Sequence, residues 1–331
     1  MLRNTTPPRK TANDIVDSSL RGVTVTAEYQ DLIQEKAKTQ LKEAQNHHRK
    51  LQEESPYTKN HAVGEIHNHV TPKRYFMDQM PEYAKQGYTI LFVEHLLYEE
   101  HQQDLDAFNA SGTMSPALSE YLNRQNEGHM DDNDNGTHNY TGVLKAAQTH
   151  GIRVVALDTR LSYSFRCGKS RALAFSLTAT EIINREAGTN KWLAFMGNGH
   201  NHIQHFTDGT SVPGIANLLP NTVTVNVFDK SMNTDSEPLS AQRNAERTII
   251  GTTVYADIGI TADSSIPLNI DLSQIPSPKT SAQRSRNSFF GDTSPSPQSL
   301  NQVGDDVKGI EPEAHTPEPV TSRSLFQMTG Y

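Results

Sequence analysis

The chain has 331 residues, enough for one large domain or two modest ones, and its hydrophobic fraction of 34% leaves part of it outside any core. A formal net charge of −8, with no sustained basic stripe, argues against nucleic acid as a partner. The single cysteine, Cys167, excludes an internal disulfide framework and any cysteine-rich zinc site.

The opening "MLRNTTPPRKTANDIV" lacks the apolar core of a signal peptide, and no apolar run is long enough to span a bilayer. A soluble protein, cytoplasmic in the producing cell, is expected; delivery into a host cell without a cleaved signal stays open. Residues 1–20 read as a loose, disordered tail. Residues 27–54 contain no Gly or Pro and are rich in Gln, Glu, Lys and Ala. They predict a long helix with a thin apolar stripe of Tyr29, Leu32, Ile33, Leu41 and Leu51. Its adjacent His47 and His48 point in different directions and read as a solvated face.

Apolar runs and helix-like segments then alternate. The runs at 61–66, 88–95, 152–158, 192–197 and 222–228 look like buried strands. Helices are expected over 72–86, 99–109, 115–125, 139–150 and 170–187. That alternation predicts an α/β fold: a mostly parallel central sheet with helices on both faces. "TVYADIGI" at 253–260 adds a candidate strand at one edge, and 229–250 reads as a long exposed loop before it. Beyond about Ile270 the chain turns rich in Ser, Pro and Gln, which predicts a disordered tail over 271–331. A single domain over 21–270 is therefore expected, the N-terminal helix included. The acidic-then-polar C-terminus would suit a secretion signal, an expectation that unaffected translocation after deletion of 275–331 would overturn.

Two apolar runs end in the same pattern. "HAVGEIHNHV" carries Gly64, Glu65, His67 and His69, and "WLAFMGNGHNH" carries Gly197 and His200. Gly-x-x-His by itself is a weak motif, but both copies fall where strands of a parallel sheet end, and ligands bind at that edge. If 65–67 stays extended, Glu65 and His67 project to one side. The glycines allow close backbone approach or a sharp turn. Other strand ends carry matching chemistry: Glu94 with His95, and Asp158 with Arg160 two residues on. Two carboxylates and two imidazoles suit a divalent metal with an open position, or general acid–base work near neutral pH. Arg160 would stabilise a developing oxyanion or orient a carboxylate. His69, His202 and His205 read as polar loop residues, as do His101, His129 and His138. The acidic loop around "MDDNDNG" lacks the final Glu of a calcium-binding EF-hand. Gly-x-Ser-x-Gly and phosphate-binding loops are absent.

Taken together, "VGEIHNH…LFVEHLLYEEHQQDLDAFN…YTGVLKAAQTHGIRVVALDTR…FMGNGH" resembles the superfamily that joins the TIKI metalloproteases, the TraB proteins, the erythromycin esterases and the ChaN-like haem-binding proteins. The nearest likeness is to the TIKI-like domain of large bacterial toxins such as the Pasteurella mitogenic toxin. "SVPGIANLLPNTVTVNVFD" is similar to a stretch of the same toxin group. The resemblance covers about residues 60–230 and implies paired motifs at 64–67 and 197–200, acidic Glu65 and Glu94, and an arginine best matched by Arg160. It implies a hydrolase of peptide or ester bonds, of the kind used by toxins and effectors in virulence. In the metal-dependent form Glu65, His67, Glu94 and His200 would hold manganese, cobalt or zinc. In the esterase branch a His acts as base without metal. That branch has one residue more between its Glu and His, which argues against a macrolide substrate. The alternatives are a non-catalytic module that takes haem or another ligand in the same crevice, and a platform for host-protein contacts.

Overall fold

The computed structural model describes residues 55–129, 136–165, 168–206, 211–219, 221–230, 238–249 and 252–275. The expected tails at 1–20 and 276–331 and the helix over 27–54 lie outside the described residues. So do Cys167 and residues 130–135 of the acidic loop.

The expected alternation is present. Strand β1 (Asn60–Glu65) is followed by helix α1 (Val70–Lys85), β2 (Tyr88–Leu97), α2 (Tyr98–Ser111) and α3 (Pro116–Gly128). Next come α4 (Tyr140–Thr149), β3 (Arg153–Asp158), a short α5 (Arg160–Ser164) and α6 (Gly168–Ala187). The chain continues through β4 (Lys191–Gly197), β5 (Gln204–Phe206), β6 (Ser211–Val212) and α7 (Ile215–Leu218). It closes with β7 (Thr222–Asp229), β8 (Leu239–Ile249) and β9 (Thr252–Ala262). Among the described residues these strands form one nine-stranded sheet in the order β3-β2-β4-β1-β7-β9-β5-β6, with β8 also on β9. From β3 to β9 the path is parallel; β5, β6 and β8 pair antiparallel.

Both faces are covered because the strand residues alternate between two apolar clusters. Val63, Leu91, Val93, Val154, Ala156, Leu193 and Phe195 pack with α1, α2, α3 and α4. Ala62, Ile90, Phe92, Val155, Leu157, Trp192, Ala194 and Met196 pack with α5, α6 and α7. Each of β1, β2, β3 and β4 is thus apolar on both sides, as a doubly covered parallel sheet requires. The outer edge of β3 is closed by α2: Asn109 exchanges two hydrogen bonds with Val154, each 2.8 Å. Two turns earlier, Gln102 Oε1 accepts from the Ala156 N–H at 2.9 Å. Two side-chain amides there take the place of a neighbouring strand.

The expected loop over 229–250 is corrected: 239–249 is strand β8, paired with β9 from Leu239↔Ala262 to Ile249↔Thr252. Its sequence has almost no large apolar residue, so no period-2 pattern marks it; pairing with β9 supplies what the pattern lacks. Arg243 is buried with its Nε donating to Ile275 O at 2.9 Å, and Ala245 packs so close to Gly259 that a Cβ there would lie 2.4 Å from its own. The segment expected at an edge, β9, instead lies between β7 and β8. The folded region also runs past Ile270, since Leu272 and Ile275 are buried in the first apolar cluster.

Candidate active site

Glu65, Glu94, Asp158 and Gly197 stand at the carboxyl ends of β1, β2, β3 and β4, so the parallel sheet brings them to one edge. Alternation then divides them. Glu65 shares the parity of Val63 and faces the layer of α1 and α4, whereas Glu94 shares that of Phe92 and faces α6.

Each carboxylate has a cation and a tyrosine beside it. Lys73 Nζ lies 2.8 Å from Glu65 Oε2, and the Tyr140 O–H donates to Glu65 Oε1 at 2.6 Å. Lys73 also stands 4.9 Å over the Tyr140 ring and donates to the carbonyls of His67 and His69, which fixes the turn after β1. On the other face, Arg171 bonds Asp158 Oδ2 at 2.7 Å and Glu94 Oε1 at 3.3 Å, and lies 4.4 Å over the Tyr163 ring. Glu94 Oε2 accepts the Gly197 N–H at 2.6 Å.

The histidines join the halves. His67 Nδ1 lies 3.0 Å from Glu65 Oε1 and 3.1 Å from His95 Nε2. His200 Nε2 lies 3.5 Å from Glu94 Oε1, with its ring 4.2 Å from that of Phe175. The two glycines are reciprocal. A Cβ on Gly64 would meet Asn226, Asn201 and the Asn198 backbone at 2.4, 2.5 and 2.7 Å. A Cβ on Gly197 would lie 3.0 Å from His67 Cε1 and Nε2. Each Gly-x-x-His motif leaves space for the other.

Proton affinities follow from this layout. Burial alone would push Glu65 up, but the Lys73 ammonium and His67 outweigh it and hold it at about 2. Burial would also lower His67, yet Glu65 and Glu94 raise it above the ordinary histidine value. Glu94 is held well below the carboxylate range, because His200, His95 and His67 overcome its burial. His95 is pushed well down by burial and by His67, and His129 to about 4 by the same two causes.

The structure brings Glu65, His67, Glu94 and His200 together but not Arg160. The Arg160 side chain is 63% exposed and its Nε bonds Glu100 at 2.5 Å, because the first turn of α5 aims it outward. Arg171, 16% exposed, is the arginine on the carboxylates instead. His129, expected in a solvated loop, is buried and stacked on His95 at 4.8 Å. His101 is also buried, its Nδ1 accepting the Leu97 N–H at 2.8 Å. His205 bonds Ser211 at 2.7 Å. Lys73, Tyr140, Tyr163 and Arg171 come from helices, where nothing local marks a polar residue as facing a strand end.

Two groups place ligand atoms within 4.8 Å of one another: Glu65, His67 and His95, and Glu94, His95 and Asp158. They are able to hold a metal; His200 belongs to neither group, and its Nε2 lies 3.5 Å from Glu94 Oε1. The donor chemistry does not fit a divalent ion well. Lys73 and Arg171 already neutralise the carboxylates, whose oxygens receive the Tyr140 O–H and the Gly197 N–H. A ligating carboxylate or imidazole must offer a free lone pair; the carboxylates are already engaged by these cations and protons, which leaves the imidazole nitrogens as the free donors.

No family model matches the chain. Over 164 residues it is 30% identical to the multifunctional-autoprocessing repeats-in-toxin of Vibrio vulnificus, a match that takes in 47% of this chain and 3% of the toxin. The chain therefore spans a small fraction of that relative's length. Among solved structures, it aligns with RRSP, a MARTX toxin effector domain from Vibrio vulnificus CMCP6. That alignment is 20% identical, covers 80% of this chain and 47% of that one, and has a TM-score of 0.42. It also aligns with the C-terminal region of Pasteurella multocida toxin, described with a thiol-protease-like catalytic triad. There the identity is 14%, the coverage 63% and 27%, and the TM-score 0.41. Among the described residues no helix is long and apolar enough to cross a membrane.

Proposed function

We propose that the chain is a toxin-effector hydrolase that cleaves an amide or ester bond by metal-free acid–base chemistry. The observation that carries this reading is the Glu65–His67 pair at 3.0 Å, facing the Glu94–His200 pair across Gly197. Glu65 accepts the His67 Nδ1–H, which leaves Nε2 as the base beside the bare backbone of Gly197. A water attacks the carbonyl carbon and its proton passes to His67 Nε2. The bond to the leaving group then breaks, and the leaving group takes that proton. His200, oriented by Glu94, supplies a hydrogen bond to the oxyanion, and Arg171, 3.3 Å from Glu94 Oε1, holds that carboxylate in place. Similarity to a segment of the Vibrio toxin supports action on a host protein inside a host cell.

The test is to incubate host-cell lysate with the full chain and sequence new protein N-termini. Wild type is expected to generate them with or without EDTA. His67→Ala and Glu94→Gln are each expected to lower the yield a hundredfold or more. Loss of cleavage in EDTA, restored by manganese, zinc or cobalt, would return the metal reading to first place. No new termini, together with a Soret band on haem addition, would favour the ligand-binding module.

A further inference from the structure

We infer that His95 is a positioning residue that fixes the tautomer of His67, and that the strained backbone of β2 serves to hold it there. The inference rests on His67 as the base. His95 has φ = 69°, one of two described non-glycine residues in the left-handed region. That conformation crowds Cβ against the following carbonyl and persists only where its surroundings impose it. Here they do. Between Val93↔Ala156 and Leu97↔Asp158, β2 places three residues against one of β3, and the Tyr121 O–H donates to His95 O at 2.5 Å.

The result of that kink is a ring aimed along the sheet edge. His95 stacks on His129 at 4.8 Å with a 25° interplanar angle and meets His67 edge-on at 4.4 Å. Its Nδ1 lies 3.0 Å from Tyr163 OH, and its Nε2 lies 3.1 Å from His67 Nδ1. Two ring nitrogens at that separation share one proton. With His95 neutral and its Nδ1–H donated to the Tyr163 oxygen, its Nε2 lone pair faces His67. The His67 Nδ1–H is then shared by two acceptors, Glu65 Oε1 and His95 Nε2. A hydrogen bond at one imidazole nitrogen decides which nitrogen carries the proton. Two such acceptors keep the proton on Nδ1 and leave Nε2 open toward Gly197. By alternation residue 95 falls on the face shared by Val93 and Glu65, and the kink turns its ring along the sheet edge toward His67.

The test uses the full chain labelled with 15N in its imidazoles, with the His67 signals assigned by their loss in His67→Gln. Wild type is expected to show His67 as the Nδ1–H tautomer in its neutral form. His95→Asn keeps a residue tolerant of the left-handed region but removes the ring acceptor, and Tyr163→Phe frees His95 to turn its own proton toward His67. Both are expected to give a mixed His67 tautomer. His95→Asn is also expected to lower kcat about tenfold on any cleaved substrate, with KM within twofold. A His67 signal that stays Nδ1–H in both variants overturns the inference and leaves Glu65 as the sole determinant. Absence of any cleavage by wild type would sink the hydrolase reading without touching the tautomer result.

Discussion

His61 and His67 sit at opposite ends of one strand, both largely shielded from water, and the fold gives them opposite proton affinities. His61 lies at the amino end among tyrosines. Its Nε2–H donates to Pro56 O at 3.0 Å, and its Nδ1 accepts from the Tyr83 O–H at 3.3 Å. Both nitrogens are satisfied in the neutral form, so burial pushes His61 down to about 4, with Lys191 adding to the effect. His67 suffers the same burial, but two carboxylates face it and raise its affinity instead. Burial is therefore not what makes a histidine functional. The charge of the groups around it decides, and the buried Glu65, Glu94 and Asp158 all stand toward the carboxyl edge of this sheet.

The largest expected effect comes from breaking that contrast at Glu65. Glu65→Gln removes the charge from the pair and leaves the Lys73 ammonium buried without its partner. A loss on the order of 3–5 kcal/mol is expected from urea denaturation at pH 7. The affinity of His67 should fall toward that of His61 in a histidine titration. An unchanged His67 would mean that Glu94 alone sets it.

Next in size is the pH dependence at His61. Its folded value lies below its unfolded one, so the unfolded chain binds the proton better and stability falls as pH drops from 6.5 toward 4. The difference corresponds to about 3 kcal/mol at the acid end. His61→Phe should flatten stability across that window even though it lowers the baseline, as denaturation at pH 7 and pH 4 would report. His67 contributes with the opposite sign: its stabilisation is full below the ordinary histidine value and is lost as pH rises through its raised one.

Gly197→Ala sharpens the comparison at the carboxyl edge alone. The added methyl would press on the His67 ring at 3.0 Å, so the ring must shift by a few tenths of an ångström. About a tenfold loss of cleavage is expected, with melting temperature nearly unchanged. The smallest effect belongs to Arg160→Ala, at most about 0.5 kcal/mol and no loss of activity, since an exposed ion pair contributes little.

Much of the site was legible. Gly64, Glu65, His67, Glu94, Gly197 and His200 are marked by ending apolar runs, and a parallel sheet delivers such ends to one edge whatever the loops do. Arg171 was not legible, because Arg160 stands closer to Asp158 in sequence and only the direction of a helix turn separates the two. Lys73 and Tyr140 were hidden for a similar reason. Strand β8 escaped because polar residues such as Gln242 and Arg243 form a strand only when β9 pairs with them.

The strand–helix alternation and the chemistry at the strand ends are written in local periodicity and can be read from residue order. Which charges meet is set by packing. Alternation sent Glu65 and Glu94 to opposite faces, so each took its cation from a different helix, and one kink in β2 brought His95 between them. Such pairings depend on the relative placement of segments distant along the chain, and no local pattern encodes that.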